Sequence, residues 1–368
     1  MEKQSVSYLK LEGSYEEIGR QLAKKTRDKS VVLPAPKYFT ENELEEAVQL
    51  YKIYCPGLLE ELEGYAKAYN IPLSDIAYTW MTYLKPHCSG LIVQGSLMKD
   101  RHTRLIRNYE FSIEDEDLML CETRPEGKYA HIGGSIVLFG RTEGINECGL
   151  AVSMSSCGFP VSNLEGMRPP KIKGLQFWAV IRSLLENCKD VEEALKMAQE
   201  MPIAYNINLY LADAKGNGCI IETMDGEFSF EQISSKSEKK YLWGTNHIAI
   251  PSFQKFEPFA MKNSIVRYET LDQFMEGKKN LEEEEIKELF LTKYPQGMSA
   301  YYYDDWFGTI KSVVMDTVNR SFQICWLGQK ENGWEEYQIG VPFQEQTLEK
   351  SYEREQGNPV FFERVSLK

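Results

Sequence analysis

The chain has 368 residues, 42% of them hydrophobic and 12% aromatic, enough to bury a sizeable core in one large domain or two small ones. Its 55 acids against 42 bases leave a formal net charge of -13, which argues against electrostatic capture of nucleic acid or of an anionic membrane surface. No apolar run reaches the length of a bilayer span, and the opening MEKQSVSYLKLEGSYEEIG lacks the apolar stretch of a secretory signal, so the expected location is the cytoplasm.

In chain order, SVSYLKLEG alternates as a strand does, and Ser14 then opens SYEEIGRQLAKKTRDK with Glu17 three residues on, the spacing of a capping box. Helical periodicity continues through TENELEEAVQLYKIYC, PGLLEELEGYAKAYN and PLSDIAYTWMTYL, so the first 85 or so residues are expected to be mostly helical. At Cys88 the period changes to two. CSGLIVQGS and TRLIRNYEF flank the polar turn LMKDRH and predict a hairpin. Strands are expected in YAHIGGSIVLFG, GLAVSMSS, NINLYLADA, GCIIETMDG and YLWGTNHIAI, with helices in GLQFWAVIRSLLENC and DVEEALKMAQEM between them. Two more helices follow, AMKNSIVRYETLDQFMEG and LEEEEIKELFLTKY, the acid run of the second being read as a solvated face. GTIKSVVMDTVNRSFQICWLG closes the pattern as a second hairpin around TVNRS. Many antiparallel strands with helices in blocks make this an α+β chain, with one break in organisation just before Cys88.

The eight cysteines stand at 55, 88, 121, 148, 157, 188, 219 and 325 without a CxxC pair, and the four histidines at 87, 102, 131 and 247 show no metal-ligand spacing. Neither a structural zinc nor a catalytic metal is expected. Cysteine is among the most buried residue types, and seven of the eight are read as packing. Cys88 differs by position: it opens the first strong hairpin, and the facing strand carries Arg107, a cation of the kind that lowers a thiol's pKa. No histidine stands at a comparable spacing to serve as its base.

These residues resemble the opening of the cysteine N-terminal-nucleophile hydrolases, the superfamily of penicillin V acylase, bile salt hydrolase, acid ceramidase and acyl-coenzyme A:6-aminopenicillanic acid acyltransferase. There the mature chain begins with the nucleophile, followed by a hairpin and Arg-Asn-x-Asp. EGINECGLAVSMSS, GTNHI, NSIVRYETL and GTIKSVVMD match further family stretches in order, and LEGSYEEIGRQLA resembles the N-terminal motif of the acyltransferase branch. The resemblance implies a four-layer αββα sandwich over residues 88–368, preceded by a helical leader over 1–87 that is removed from the nucleophile by self-cleavage between His87 and Cys88. It implies Cys88 as nucleophile with its own α-amino group as base, chemistry that two groups of similar pKa permit at neutral pH. Arg107 then favours the thiolate, Glu110 holds the new ammonium where the family has aspartate, Asn246 serves the oxyanion and Arg267 completes the network. Asn108 and Ser156 are assigned to the substrate, Ser156 standing where the bile salt hydrolase branch has asparagine. His87 stands where the acyltransferase has glycine.

The function implied is an amidase or acyltransferase acting on a linear amide of a small N-acyl compound, with acyl-coenzyme A as a further candidate donor. No cofactor is called for, and assembly into a homo-oligomer stays open. Two other readings stand beside it: an uncleaved protein of the same fold that binds an acylated ligand without turnover, and a hydrolase working from an internal Cys88 thiol with His87 or His247 as base. The aromatic run YYYDDWF at 301–307 is read as core or domain edge, with an apolar wall for an acyl chain as the sharper alternative.

Overall fold

A computed structural model describes residues 1–26, 41–73, 76, 87–159 and 171–367. The leader begins with β1 (Glu2–Gly13), then α1 (Tyr15–Lys25), α2 (Glu41–Tyr54) and α3 (Leu58–Tyr69). The body starts with β2 (Ser89–Val93), β3 (Arg104–Phe111), β4 (Met119–Pro125), β5 (His131–Ile136), β6 (Gly140–Asn146) and β7 (Ala151–Ser156). Next come α4 (Phe177–Asn187), α5 (Val191–Glu200), β8 (Ile207–Ala212), β9 (Gly218–Met224), β10 (Glu227–Ile233), β11 (Tyr241–Gly244) and β12 (Phe259–Met261). The rest is α6 (Lys262–Met275), α7 (Glu283–Leu291), β13 (Tyr301–Tyr302), β14 (Phe307–Asp316), β15 (Ser321–Trp326), β16 (Glu335–Gln338), β17 (Gln346–Tyr352) and β18 (Arg364–Ser366). The helix expected over PLSDIAYTWMTYL falls largely outside the described residues.

Two large sheets carry the fold, in the orders β10-β9-β8-β7-β6-β5-β4-β1-β17 and β11-β2-β3-β14-β15-β16. Side-chain alternation explains how they stack. Ile92, Leu105, Tyr109, Val313 and Ile324 of the smaller sheet meet Tyr8, Leu120, Ile145 and Tyr210 of the larger one in a shared core. Their neighbours Leu91, Val93, Ile106 and Val314 turn the other way, onto Leu271, Met275, Ile286 and Phe290 of α6 and α7. On the far side of the larger sheet, Cys121, Val152, Leu209 and Ile221 pack against leader helices and α4 through Leu22, Leu62, Tyr65, Trp178 and Leu184. The molecule is therefore a four-layer αββα sandwich. Covering both sheets on both faces is why strands such as SGLIV read as continuous apolar runs.

The leader is part of this body rather than an appendage. β1 pairs in parallel with β4 and antiparallel with β17 inside the larger sheet. Ser14 caps α1 as its spacing requires, with the reciprocal bond from Ser14 N–H to the Glu17 carboxylate at 2.8 Å. α1 and α3 cross closely because both carry glycine at the crossing: a Cβ on Gly19 would lie 2.0 Å from Glu61 O, and one on Gly64 would lie 2.2 Å from Glu16 O. Both expected hairpins form, β2–β3 and β14–β15, the second turning over Asp316, whose carboxylate accepts the Val318 and Asn319 amides at 2.9 Å.

Two expectations need correction. YAHIGGSIVLFG is not one strand: the chain reverses at Val137 and Leu138, both at positive φ, so that β5 ends and β6 begins. YLWGTNHIAI is strand only as far as Gly244, and Thr245 onward leaves the sheet. β4, β10, β16 and β17, with the short β12, β13 and β18, lie outside the expected strands. Among the described residues no helix is long and apolar enough to cross a membrane.

Candidate active site

The β2–β3 pairing sets Gly90 opposite Arg107 and Ser89 opposite Asn108, and His87 N–H donates to Glu110 O at 3.1 Å. Successive residues of a strand face opposite ways. Arg107 and Tyr109 therefore look into the space between the sheets, where the fully buried Cys88 thiol lies, while Asn108 and Glu110 look toward α6 and α7. Arg107 Nη2 donates to Cys88 Sγ at 3.1 Å. The same guanidinium donates to Thr142 O at 3.0 Å and to the Glu143 carboxylate, and lies over the Tyr109 ring at 4.7 Å. It is fixed from several sides. Burial pushes the Cys88 thiol up, the Arg107 charge opposes that and Glu110 adds to it, leaving the group at about 11. In the uncut chain the sulfur is a thiol at neutral pH.

On the other side of the Cys88 backbone, Arg267 is the hub. It stands in the first turns of α6, where Asn263 and Ser264 precede it. Its Nη1 donates to the His87 carbonyl at 2.7 Å, and its Nη2 donates to Asn246 Oδ1 at 2.7 Å and Asn263 Oδ1 at 2.8 Å. Glu110 lies 3.6 Å away, an opposing charge beyond hydrogen-bond distance. Neither Glu110 oxygen has a hydrogen-bond partner, and burial lifts its carboxyl to about 8 against the pull of Arg267 and Arg107. Because a guanidinium only donates, Asn246 must present its oxygen to Arg267, which aims its NH2 away. That group donates to Ser156 O at 3.1 Å and Oγ at 3.0 Å, while Asn246 N–H donates to Ser264 Oγ at 2.8 Å. The departure of Thr245–Asn246 from β11 is what brings this amide to the start of α6.

His87, Cys88, Arg107, Glu110, Asn246, Arg267 and Ser156 are thus brought into one cluster. Asn108 is not. Its Nδ2 donates to Phe290 O of α7 at 2.9 Å, one strand position away and hence on the wrong face for a substrate at Cys88. The histidines are otherwise employed. His247 Nδ1 bonds Ser264 Oγ at 2.8 Å, and burial with the nearby Arg267 charge holds it at about 4, neutral at physiological pH. His87 Nδ1 faces Trp306 O at 3.0 Å and its Nε2 faces Met261 Sδ at 3.3 Å. The ring lies against Phe307 and Phe362 of the aromatic cluster that the 301–307 run builds. All eight cysteines are free thiols. The acidic group Asp100, His102 and Asp316 lies at the far hairpin end, with Arg104 in ion pairs to Asp100 at 2.5 Å and Asp316 at 3.1 Å.

Glu143 is the member that sequence reasoning missed. The signal was present in RTEGIN: a charged residue on a strand buried on both faces must have a partner.

The model of the acyl-coenzyme A:6-aminopenicillanic acid acyl-transferase family matches residues 97–331, a range that begins C-terminal to Cys88 and includes Arg107, Glu110, Asn246 and Arg267. A curated but uncharacterized protein of Archaeoglobus fulgidus is 19% identical over 311 residues, covering 78% of this chain and 51% of its own. The chain thus spans about half the length of that relative. Among solved structures, a conjugated bile acid hydrolase from Clostridium perfringens aligns at TM-score 0.42 and 11% identity, over 74% of this chain and 100% of its own. The Caenorhabditis elegans ortholog of N-acylethanolamine-hydrolyzing acid amidase aligns at TM-score 0.44 and 18% identity, over 63% and 93%. Penicillin V acylase from Agrobacterium tumefaciens aligns at TM-score 0.41 and 16% identity, over 65% and 83%.

Proposed function

This chain belongs to the acyl-coenzyme A:6-aminopenicillanic acid acyl-transferase family, and from that premise we propose that it is an N-terminal-nucleophile amidohydrolase or acyltransferase that uses Cys88. Its substrate is a linear amide of a small N-acyl compound, and residues 1–87 form the segment released from the nucleophile by self-cleavage. The observation that carries the reading is the grip on the His87–Cys88 peptide. Arg107 donates to the sulfur at 3.1 Å while Arg267 donates to the preceding carbonyl oxygen at 2.7 Å.

In the first step Cys88 Sγ attacks the His87 carbonyl carbon, with Arg267 at the oxygen where negative charge develops. The C–N bond breaks, the thiol proton passes to the amide nitrogen, which becomes the α-amine of Cys88, and a thioester of His87 remains on the sulfur. Water then hydrolyses the thioester to a His87 carboxylate and a free thiol. Glu110, buried with two unpartnered oxygens, is suited to bind the ammonium form of this amine and ionises when it does so.

In turnover the α-amine takes the thiol proton, and the thiolate attacks the substrate carbonyl beside Arg107. The oxyanion is stabilised by the Asn246 amide, which Arg267 orients, and the leaving amine takes the proton back. Water or an acceptor amine releases the acyl group from sulfur. The uncut chain suits this order of events, because a buried thiol at about 11 with neither His87 nor His247 placed as base makes a poor nucleophile toward a substrate from solution, whereas the neighbouring His87 carbonyl, held by Arg267, is presented to it within the chain.

The test is the intact mass of the denatured protein beside Cys88→Ala. Fragments 1–87 and 88–368 in the parent and a single chain in the variant are expected. One uncut chain in both, across pH and time, would remove the α-amine base and leave an acyl-ligand binder as the reading.

A further inference from the structure

Behind the Arg107–Glu143 pair, the space between the sheets holds a second buried cation. Lys311 Nζ lies 3.3 Å from Glu143 Oε1 and 3.8 Å from Glu116 Oε1, and all three side chains are fully buried. From the Cys88 sulfur inward basic and acidic side chains alternate: Arg107, Glu143, Lys311, Glu116. The Tyr109 ring stands beside both cations, with Arg107 at 4.7 Å and Lys311 at 4.9 Å from its centroid.

The backbone is shaped for this contact. A register shift between Thr309 and Lys311 against β3 turns both Ile310 and Lys311 toward the facing sheet. On β5, Gly134 leaves the room: a Cβ there would lie 2.2 Å from both Glu143 Oε1 and Lys311 Nζ. Among the described residues Lys311 Nζ faces the Glu143 and Glu116 carboxyls, and the Tyr109 side chain lies beside Glu116. Lys311 is therefore held chiefly by its pairing with Glu143. A buried ammonium is costly where an apolar side chain of the same length packs equally well, which points to a task that needs its charge.

We propose that Glu143 and Lys311 are positioning residues that set how much of the Arg107 charge reaches the Cys88 sulfur. Glu143 anchors the guanidinium and draws part of its charge away, and Lys311, by neutralising Glu143, returns it. The balance is visible at Glu143. Burial alone would raise its carboxyl, but Lys311 and Arg107 together hold it below the usual carboxylate range. Among the described residues, the other titratable groups facing Cys88 are Glu110 and Tyr109 of β3, Tyr205 just before β8, Tyr210 of β8, and Arg267 of α6; of these the Tyr109 ring lies beside Lys311.

The inference rests on Cys88 being the nucleophile, and it is tested without turnover. The iodoacetamide labelling rate of Cys88 is followed by peptide mass spectrometry from pH 6 to 9, roughly the range over which rate tracks thiolate fraction. Chains are compared in the same state of cleavage, checked by intact mass. Glu143→Gln is expected to label about tenfold faster and Lys311→Met about tenfold slower, roughly one pH unit each in opposite directions. If either single variant fails to fold, Glu143→Gln/Lys311→Met removes both charges together and is expected near the parent rate. Equal or same-direction changes in the single variants, a double variant displaced like Glu143→Gln, or a Cys88 that takes no label at all would overturn the proposal. Absence of self-cleavage would instead end the reading of the family chemistry and leave the rate ratio intact.

Discussion

At the scale of single residues, the cluster sorts by what each side chain does to charge. Asn246 offers an amide whose direction is dictated by Arg267, so under the proposed mechanism its contribution belongs to the moment an oxyanion forms. Asn246→Ala is expected to lower kcat by about 10²- to 10³-fold, or about 3 kcal/mol, with little change in KM. Steady-state kinetics on a cut enzyme with an N-acyl amide measures this. Arg267 differs because it donates to several carbonyl oxygens at once, among them those of His87, Asn246 and Asn263. Asn108 shows how sharply a strand discriminates. It directly follows Arg107, and it is bound to the α7 backbone instead of facing the thiol.

At the scale of elements, the leader is locked to the body by a buried ion cluster as well as by β1. Arg182 of α4 donates to both Glu61 oxygens on α3 and, at 2.9 Å, to Glu186, whose other oxygen accepts the Tyr15 hydroxyl at 2.9 Å. Glu61→Ala leaves the Arg182 charge buried with half its partners, and is expected to cost about 3–5 kcal/mol of stability, read from the urea midpoint. With β1 lying between β4 and β17, fragments 1–87 and 88–368 are expected to elute together in native gel filtration and to part in denaturant. The bulge in β14 and the non-strand course of Thr245–Asn246 are the other element-scale devices. Each re-aims one polar side chain that a regular strand would have sent elsewhere.

At the scale of the whole molecule, buried carboxyls with raised pKa make stability depend on pH. Glu110 and Glu116 sit at about 8, each raised first by burial. Between the ordinary carboxylate range and pH 8 the native state keeps these protons and the unfolded chain has lost them, so the stability they contribute falls as pH rises through that window. His131 and His247, held below their ordinary value by burial, act oppositely, but only below about pH 6.5. Uncut Cys88→Ala protein is therefore expected to lose stability from about pH 6.5 to 8, by about 1 kcal/mol per pH unit for each group. Adding Glu110→Gln is expected to flatten the slope in urea titrations; an unchanged slope would assign the protons elsewhere.

Much of this was legible in the residues alone, where the rule is local. The capping box at Ser14 and Glu17, the hairpins around LMKDRH and TVNRS, and the helical spacing of α4 to α7 follow from periodicity and turn chemistry within a few residues. The prominence of Cys88 and its pairing with Arg107 came from a two-residue period across one hairpin. What only the tertiary structure decided is whatever depends on elements distant in sequence. The strand break at Val137–Leu138 lacks glycine or asparagine, and rests on Asp117, which accepts the Leu138 amide at 2.7 Å and the Ser135 hydroxyl at 2.6 Å. β17 reads as a polar surface strand, and its place beside β1 is set from the other end of the chain. Asn246 reaches Ser156, and Lys311 reaches Glu143, only because two sheets stack face to face. Periodicity tells which face a side chain takes, but the identity of what lies across that face is set by the packing of whole layers.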